Sequence, residues 1–178
     1  MVKQNLALSE VYKMLEPGPV VLVTTAYGDR QNVMPMSWQT MLDFEPPIFC
    51  AVISNRNYSF ELLKKSKQCV VNIPGAELAP IVVKCGNISG EKIDKFNKLG
   101  LTPLPASLVK APLIKECFVN LECRVINTSM VNLYNLFIFE VVKAWIEPSK
   151  KRHLTLHHCG QGVFVLDGTV IKLPFNKK

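Results

Sequence analysis

The chain has 178 residues, of which 48% are hydrophobic and 20% charged, a balance that excludes a disordered tail and suits a folded domain with a sizeable core. Its longest apolar runs, "PVVLV" and "IFCAVI", are far shorter than the ~20 residues that span a bilayer, and "MVKQNLALSE" has no sustained apolar h-region. The formal charge of +7 permits an anionic partner, but the basic runs "LLKKSK" and "SKKRH" lack interleaved aromatics, so a nucleic-acid surface gains little support. A cytoplasmic protein with no membrane partner is the resulting expectation.

Residues 1 to 16 read as a short amphipathic helix, with Leu6, Leu8, Val11, Met14 and Leu15 close to one face, ended by Pro17-Gly18-Pro19. "VVLVTTAYG" is a strand, and a turn leads to a second one around Asn32 to Met36. The text from Asn32 to Thr40 is too apolar for an ordinary surface turn and too irregular for a strand interior, and its part from Met36 to Thr40 reads as a loop. "PPIFCAVIS" is a third strand, its start marked by two prolines that cannot donate ladder hydrogen bonds.

"YSFELLKKSK" follows as a helix with Asn57 at its N-cap, then the strand "QCVVNIPG". "AELAPIVVKCG" is helical in pattern with Pro80 in its first turns, and "SGEKIDKFNKLGL" is a helix opened by Ser89 and closed by Gly100. Beyond a Pro-rich linker come two long alternating strands, "CFVNLECRVINTSMV" and "YNLFIFEVVKAWIEP", joined near Asn132. "GVFVLDGTVIKLP" reads as a hairpin around Asp167-Gly168. The sum is a mainly β chain, one domain over residues 1–178, with short helices inserted between antiparallel strands. A closed or nearly closed barrel suits it, because closure hides strand edges.

Generic motifs fail. The six cysteines contain no C-x-x-C pair and read as free thiols. "GQGVFV" lacks the third glycine and the following helix of a dinucleotide fingerprint. His153 and His157 are spaced like a metal pair, yet Leu154 stands where a zincin glutamate would, which favours solvated loop histidines over a metal site. No catalytic acid, base or nucleophile set stands out.

Three segments do combine. "MPMSWQTMLDFEPP" offers backbone groups to a planar heterocycle. "ISNRNYSFELLKK" gathers Ser54, Arg56, Asn57 and Ser59 at a strand end and helix start, a natural anion site. "KCGNISGEKIDKF" places Ser89, Lys92 and Lys95 beside Phe96, with the two lysines on one face. Each has a plain alternative: Ser89 and Asn57 as caps, the lysines as a solvated face, and Met34, Met36 and Trp38 as core or oligomer contact.

In this order, with "CVVNIPG" between the last two, the segments resemble the flavin reductase-like family, the FMN-binding split-barrel group that includes flavoredoxin. The resemblance covers nearly the whole chain. It implies a Greek-key split barrel, a homodimer, and FMN in a groove near the subunit interface. It further implies that Met36, Ser37, Trp38, Gln39 and Thr40 pack along the isoalloxazine. Ser54, Arg56, Asn57 and Ser59 match the positions that hold the ribityl chain and phosphate. Cys85, Gly86, Ser89, Lys92, Lys95 and Phe96 match an insertion over the cofactor, and His157 or His158 approaches the flavin edge. Trp38 departs from many relatives, which carry a smaller polar residue there. The implied function is redox chemistry on flavin with NAD(P)H or a protein as donor. The alternatives are an electron carrier without NAD(P)H activity and a cofactor-free basic β-barrel binding module.

Overall fold

The structure is a computed structural model that describes residues 3–11, 18–148 and 153–172. Strands β1 (Gln4–Leu6), β2 (Val21–Tyr27), β3 (Arg30–Met36), β4 (Gln39–Phe44), β5 (Pro47–Val52), β6 (Gln68–Ile73), β9 (Val119–Asn127) and β10 (Leu136–Ile146) form one antiparallel sheet. Its order is β3-β2-β6-β9-β10-β5-β4, with β1 added beside β10. Two small hairpins pair β7 (Pro103–Leu104) with β8 (Leu113–Ile114) and β11 (Leu156–His158) with β12 (Phe164–Leu166). The helices are α1 (Tyr58–Ser66), α2 (Ala79–Gly86), α3 (Lys95–Leu99) and α4 (Val131–Tyr134).

The sheet curls into a split barrel because one face of its strands builds a single core. Val21 and Val23, Met34 and Met36, Phe49 and Ala51, Val71 and Ile73, Leu121 and Cys123, and Phe137 and Phe139 pack together from six strands. Alternation puts these inward: β5 reads buried at Pro47, Phe49 and Ala51 and half-buried at Ile48, Cys50 and Val52. Phe49 stacks on Phe139 with ring centres 4.9 Å apart, across the β5–β10 register.

Two further apolar layers cover the outside. Val20, Leu22 and Val33 receive α2 through Val82 and Cys85, with Phe96 and Leu156. Val70 receives the Pro-rich linker through Val109, Ala111 and Leu113. Buried polar hubs fix that linker. The Glu122 carboxylate accepts from Ser107 N, Leu108 N and Trp145 Nε1, and Asn72 Oδ1 accepts from Ile114 N and Asn120 Nδ2. Among the described residues neither layer includes Leu42 of β4, which is 52% exposed.

Several sequence expectations need correction. Residues 4–6 are a strand and Leu8–Glu10 a 3-10 turn, not a helix, since β1 finds a pairing partner in β10; residues 12–17 lie outside the described residues. Most of the expected Met36–Thr40 loop is strand: Met36 ends β3, Gln39 and Thr40 open β4, and Ser37 and Trp38 lie between them. Ser89 opens no helix; the helix begins at Lys95, where Asp94 Oδ1 accepts from Phe96 N and Asn97 N. The C-terminal hairpin turns at Gly160–Gly162, not at Asp167-Gly168, because β12 pairs back onto β11. Among the described residues no helix is long and apolar enough to cross a membrane.

Phe139→Ala should cost about 3–5 kcal/mol, the scale of a fully buried aromatic removed from a packed core. Urea unfolding followed by circular dichroism checks this, as a lowered midpoint with an unchanged slope.

Candidate functional site

A groove runs along edge strand β3, between that strand and the segment from the end of α2 to the start of α3. Its central cleft, about 340 Å3, is lined by Asn32, Met34 and Pro35 on one side and Arg56, Asn57 and Tyr58 at the mouth of α1. Cys85, Gly86, Asn87, Ile88, Ser89, Gly90 and Lys95 close it. A second chamber of about 280 Å3 continues from it past Pro35, Gly86 and Asn87 to Met36, Ser37, His158, Gly162 and Phe164.

Local sequence explains the narrow walls. Gly86 has no side chain where a Cβ would come within 3.2 Å of the Pro35 ring, so α2 ends close against β3. Gly90 lies tighter still, because a Cβ there would collide with Asn32 Oδ1. Lys95, the first residue of α3, extends back to β3. Its Nζ donates to Val33 O at 3.0 Å and to Cys85 O at 2.9 Å. The Cys85 thiol donates to Val33 O as well, at 3.5 Å.

The groove holds unspent polar capacity. Asn32 is 3% exposed; its Nδ2 donates to Ser59 Oγ at 2.9 Å, while its Oδ1 has no hydrogen-bond partner among the described residues. Lys95 is 5% exposed, and the groups that act on its charge include no carboxylate. Burial lowers its pKa, with Cys85 opposing. Burial also pushes the Cys85 thiol up to about 11, against the pull of the Lys95 charge. An orphan acceptor, a buried cation without a counter-ion and a helix N-terminus at Tyr58 together fit a ligand that brings hydroxyl donors and an anion.

The structure therefore unites Arg56, Asn57, Cys85, Gly86, Ser89 and Lys95 in one cleft, and Met36 and Ser37 in the adjoining chamber. The other expected residues stand elsewhere. Ser59 is fully buried behind Asn32, where its hydroxyl also accepts from Thr25. Ser54 Oγ accepts from Arg56 N in the turn before α1. Phe96 is core, and Lys92 lines a neighbouring cleft. Trp38 is 72% exposed and Thr40 exposed, while Gln39 Nε2 donates to Pro19 O and its Oε1 is unpartnered. Strand alternation turns His157 toward Thr155, with Nε2 3.1 Å from its hydroxyl, and leaves His158 in the chamber. Sequence reasoning missed Asn32, Pro35, Asn87 and Gly90. Asn32 carried a signal, as an amide spaced two and four residues from the inward-facing Met34 and Met36 of its strand.

Comparison with known proteins identifies the family and the fold. The model of the flavin reductase-like domain matches residues 14–165, and the chain belongs to that family. It is 37% identical over 137 residues to an uncharacterised protein of Archaeoglobus fulgidus, covering 75% of this chain and 77% of that one. The FMN-binding domain of a flavin reductase-like enzyme from Shewanella baltica superposes with a TM-score of 0.90 at 24% identity, over 97% of this chain and 98% of that one. Flavoredoxin from Methanosarcina acetivorans superposes with a TM-score of 0.77 at 25% identity, over 87% of each chain.

The raised thiol pKa of Cys85 has a direct consequence. Its ionisation works against the fold, so the folded state loses stability only as pH climbs past the ordinary thiol value of 9.0. At pH 8 iodoacetamide should label exposed Cys159 first and leave Cys85 unlabelled until the pH nears 11. Peptide mass mapping across pH checks this; equal labelling of both at pH 8 would refute the burial assigned to Cys85.

Proposed function

We propose that this chain is an FMN-dependent oxidoreductase that passes reducing equivalents from NAD(P)H, or from a protein donor, through bound flavin to an acceptor. The observation that carries the reading is the meeting in one cleft of Asn32 Oδ1, an acceptor without a partner among the described residues, and Lys95, whose charge no described carboxylate offsets, in a chain of the flavin reductase-like family.

FMN supplies the hydride and single-electron chemistry; the chain supplies position and electrostatics. Arg56, Asn57 and Ser89 hold the phosphate at the α1 end of the cleft, where a guanidinium fork and backbone amides suit three anionic oxygens. Asn32 Oδ1 accepts from a ribityl hydroxyl. Met36 and Ser37 form the wall of the ring chamber, which Val82, Val83 and Phe164 keep largely apolar. His158 lines that chamber, where its imidazole would donate a hydrogen bond to a bound flavin. No acid or base is required of the chain beyond these contacts.

Trp38 and Leu42, 72% and 52% exposed just before β4 and within it, support a homodimer that buries them. The likeness to flavoredoxin favours a second reading, an FMN carrier that does not react with pyridine nucleotides. Stopped-flow mixing of the flavin-loaded protein with NADH and NADPH decides between them. Bleaching of the flavin absorbance supports the reductase, and persistent colour the carrier. A purified protein that takes up no flavin would overturn both.

Arg56→Ala should weaken FMN binding by about 1.5–3 kcal/mol, the value of a charge-assisted hydrogen bond. Riboflavin, which lacks the phosphate, should bind parent and variant alike; fluorescence titration of both flavins reads the difference. Light scattering of the flavin-loaded protein at micromolar concentration should return twice the chain mass of 20.0 kDa.

A further inference from the structure

The end of the barrel that α1 and α4 close carries a surface outside the flavin groove. Phe60 and Leu63 of α1 and Val131 of α4 reach the barrel core there. What α4 leaves outside is apolar: Leu133 is 72% exposed, and Tyr134, Met130 and Ile126 of the same hairpin are exposed too. The sequence contains no charged residue from Val125 to Phe139. On the flank of this tip, four exposed cations surround Gln68. Lys67 precedes it, Lys64 lies one helical turn back, Arg124 faces it across the β6–β9 ladder, and Lys110 N donates to its Oε1. Val125 N donates to Lys67 O, which holds the cations against the root of the tip. Two carboxylates stand near them, Glu61 in the first turn of α1 and Glu140, opposite Arg124 across the β9–β10 ladder.

We propose that this surface docks an acidic electron-transfer protein, with the aliphatic tip against an apolar centre of the partner and the cations against its carboxylates. The inference rests on the FMN reading above and chooses the protein donor within it. An apolar centre without charge beside a charged rim is the anatomy of a protein interface. Charge identifies the partner. Two copies of a chain of formal charge +7 repel at long range, whereas an acidic carrier is steered in. The aliphatic centre has nothing to offer the phosphates of a nucleic acid.

The position of the tip agrees. Ile53 N donates to Asn135 O at the end of α4, and Val52 N donates to Trp38 O, next to Ser37 of the ring chamber. A carrier seated on the tip therefore lies across the end of β5 from that chamber and need not enter the groove. Each docking passes one electron. Two dockings, with two protons from solvent, reduce one flavin, and both carriers leave oxidised.

Fluorescence anisotropy of a labelled plant-type ferredoxin, an acidic one-electron carrier, reads the contact directly. Stopped-flow reduction of the flavin-loaded protein by reduced ferredoxin reads its use. Binding should weaken as salt rises. Lys64→Glu combined with Lys67→Glu should weaken it about tenfold, and Leu133→Ser about fivefold at any salt. Lys98→Glu combined with Lys115→Glu makes the same change in net charge at exposed sites outside the patch, and should stay within about twofold of the parent. An unchanged circular dichroism spectrum shows that each variant is folded. Equal losses in the two charge-reversed pairs would reduce the effect to net charge and overturn the docking surface, as would absence of ferredoxin binding to the parent at low salt. A short DNA duplex that binds more tightly than ferredoxin, and is weakened by the same variants, would overturn it in favour of a nucleic acid. A fall of Leu133→Ser from the parent's mass to that of a single chain in light scattering would give the tip to a second copy, and overturn it too. Ferredoxin binding with the expected losses, in a protein that takes up no flavin, would keep the surface and overturn the FMN reading.

Discussion

Strands β3 and β4 are consecutive in the chain yet lie at opposite ends of the seven-strand path. Two residues, Ser37 and Trp38, join them. Three Cα steps reach about 11 Å at most, so the sheet must curl until its edges come that close. Everything else follows from this closure. The inward residues of each strand are forced onto one another, which gives the Phe49–Phe139 stack and the single barrel core. The closure is incomplete, because β3 and β4 share a connection and not a ladder. The seam between them is where the groove opens.

Edge strand β3 then serves two layers at once. Met34 and Met36 point into the barrel core, while Val33 joins the outer layer under α2. An edge strand presents unpaired backbone groups, and these need cover. Lys95 and Cys85 both donate to the Val33 carbonyl, and Lys95 also caps a carbonyl in the last turn of α2. The same lysine thus ties α3, α2 and the sheet edge together and leaves a cation beside the cleft. Sealing the edge and equipping the groove are one structural act here.

The barrel was legible in the sequence because strands leave local signals: β2 and β6 are short apolar runs buried almost throughout, and β5 and β10 alternate between buried and half-buried residues. Strand β4 was not, because the adjacent apolar pair Met41 and Leu42 interrupts the two-residue period where a bulge lies between Met41 and Asp43. The start of α3 was misread because Ser89 and Asp94 are both plausible caps, and only the structure shows which side chain meets amides of the helix. The cleft itself was half legible. Arg56, Asn57, Ser89 and Lys95 announce an anion site by residue type. Asn32 and Gly90 matter through their mutual approach across 58 residues of chain, and no local pattern encodes that. His157 and His158 are neighbours in sequence, and the pleat alone assigns one to Thr155 and the other to the chamber.

The polar groups of the groove also bear on stability. A buried acceptor without a partner costs about 1–3 kcal/mol, and a buried ammonium without a counter-ion costs more unless it gives up its proton. Asn32 Oδ1 and Lys95 carry those costs in the ligand-free chain, and burial lowers the lysine pKa in response. A ligand that donates to the one and neutralises the other removes both costs on binding. Its affinity therefore includes relief of strain already present in the protein, and the loaded fold gains stability over the empty one by mass action. The barrel core needs no such help, since its strands are closed by apolar packing. Asn32 Oδ1 shares its lack of a partner with Gln39 Oε1, Asn120 Oδ1 and His153 Nε2 among the described residues, and what sets the groove apart is that there the orphan acceptor and a buried lysine line one cleft.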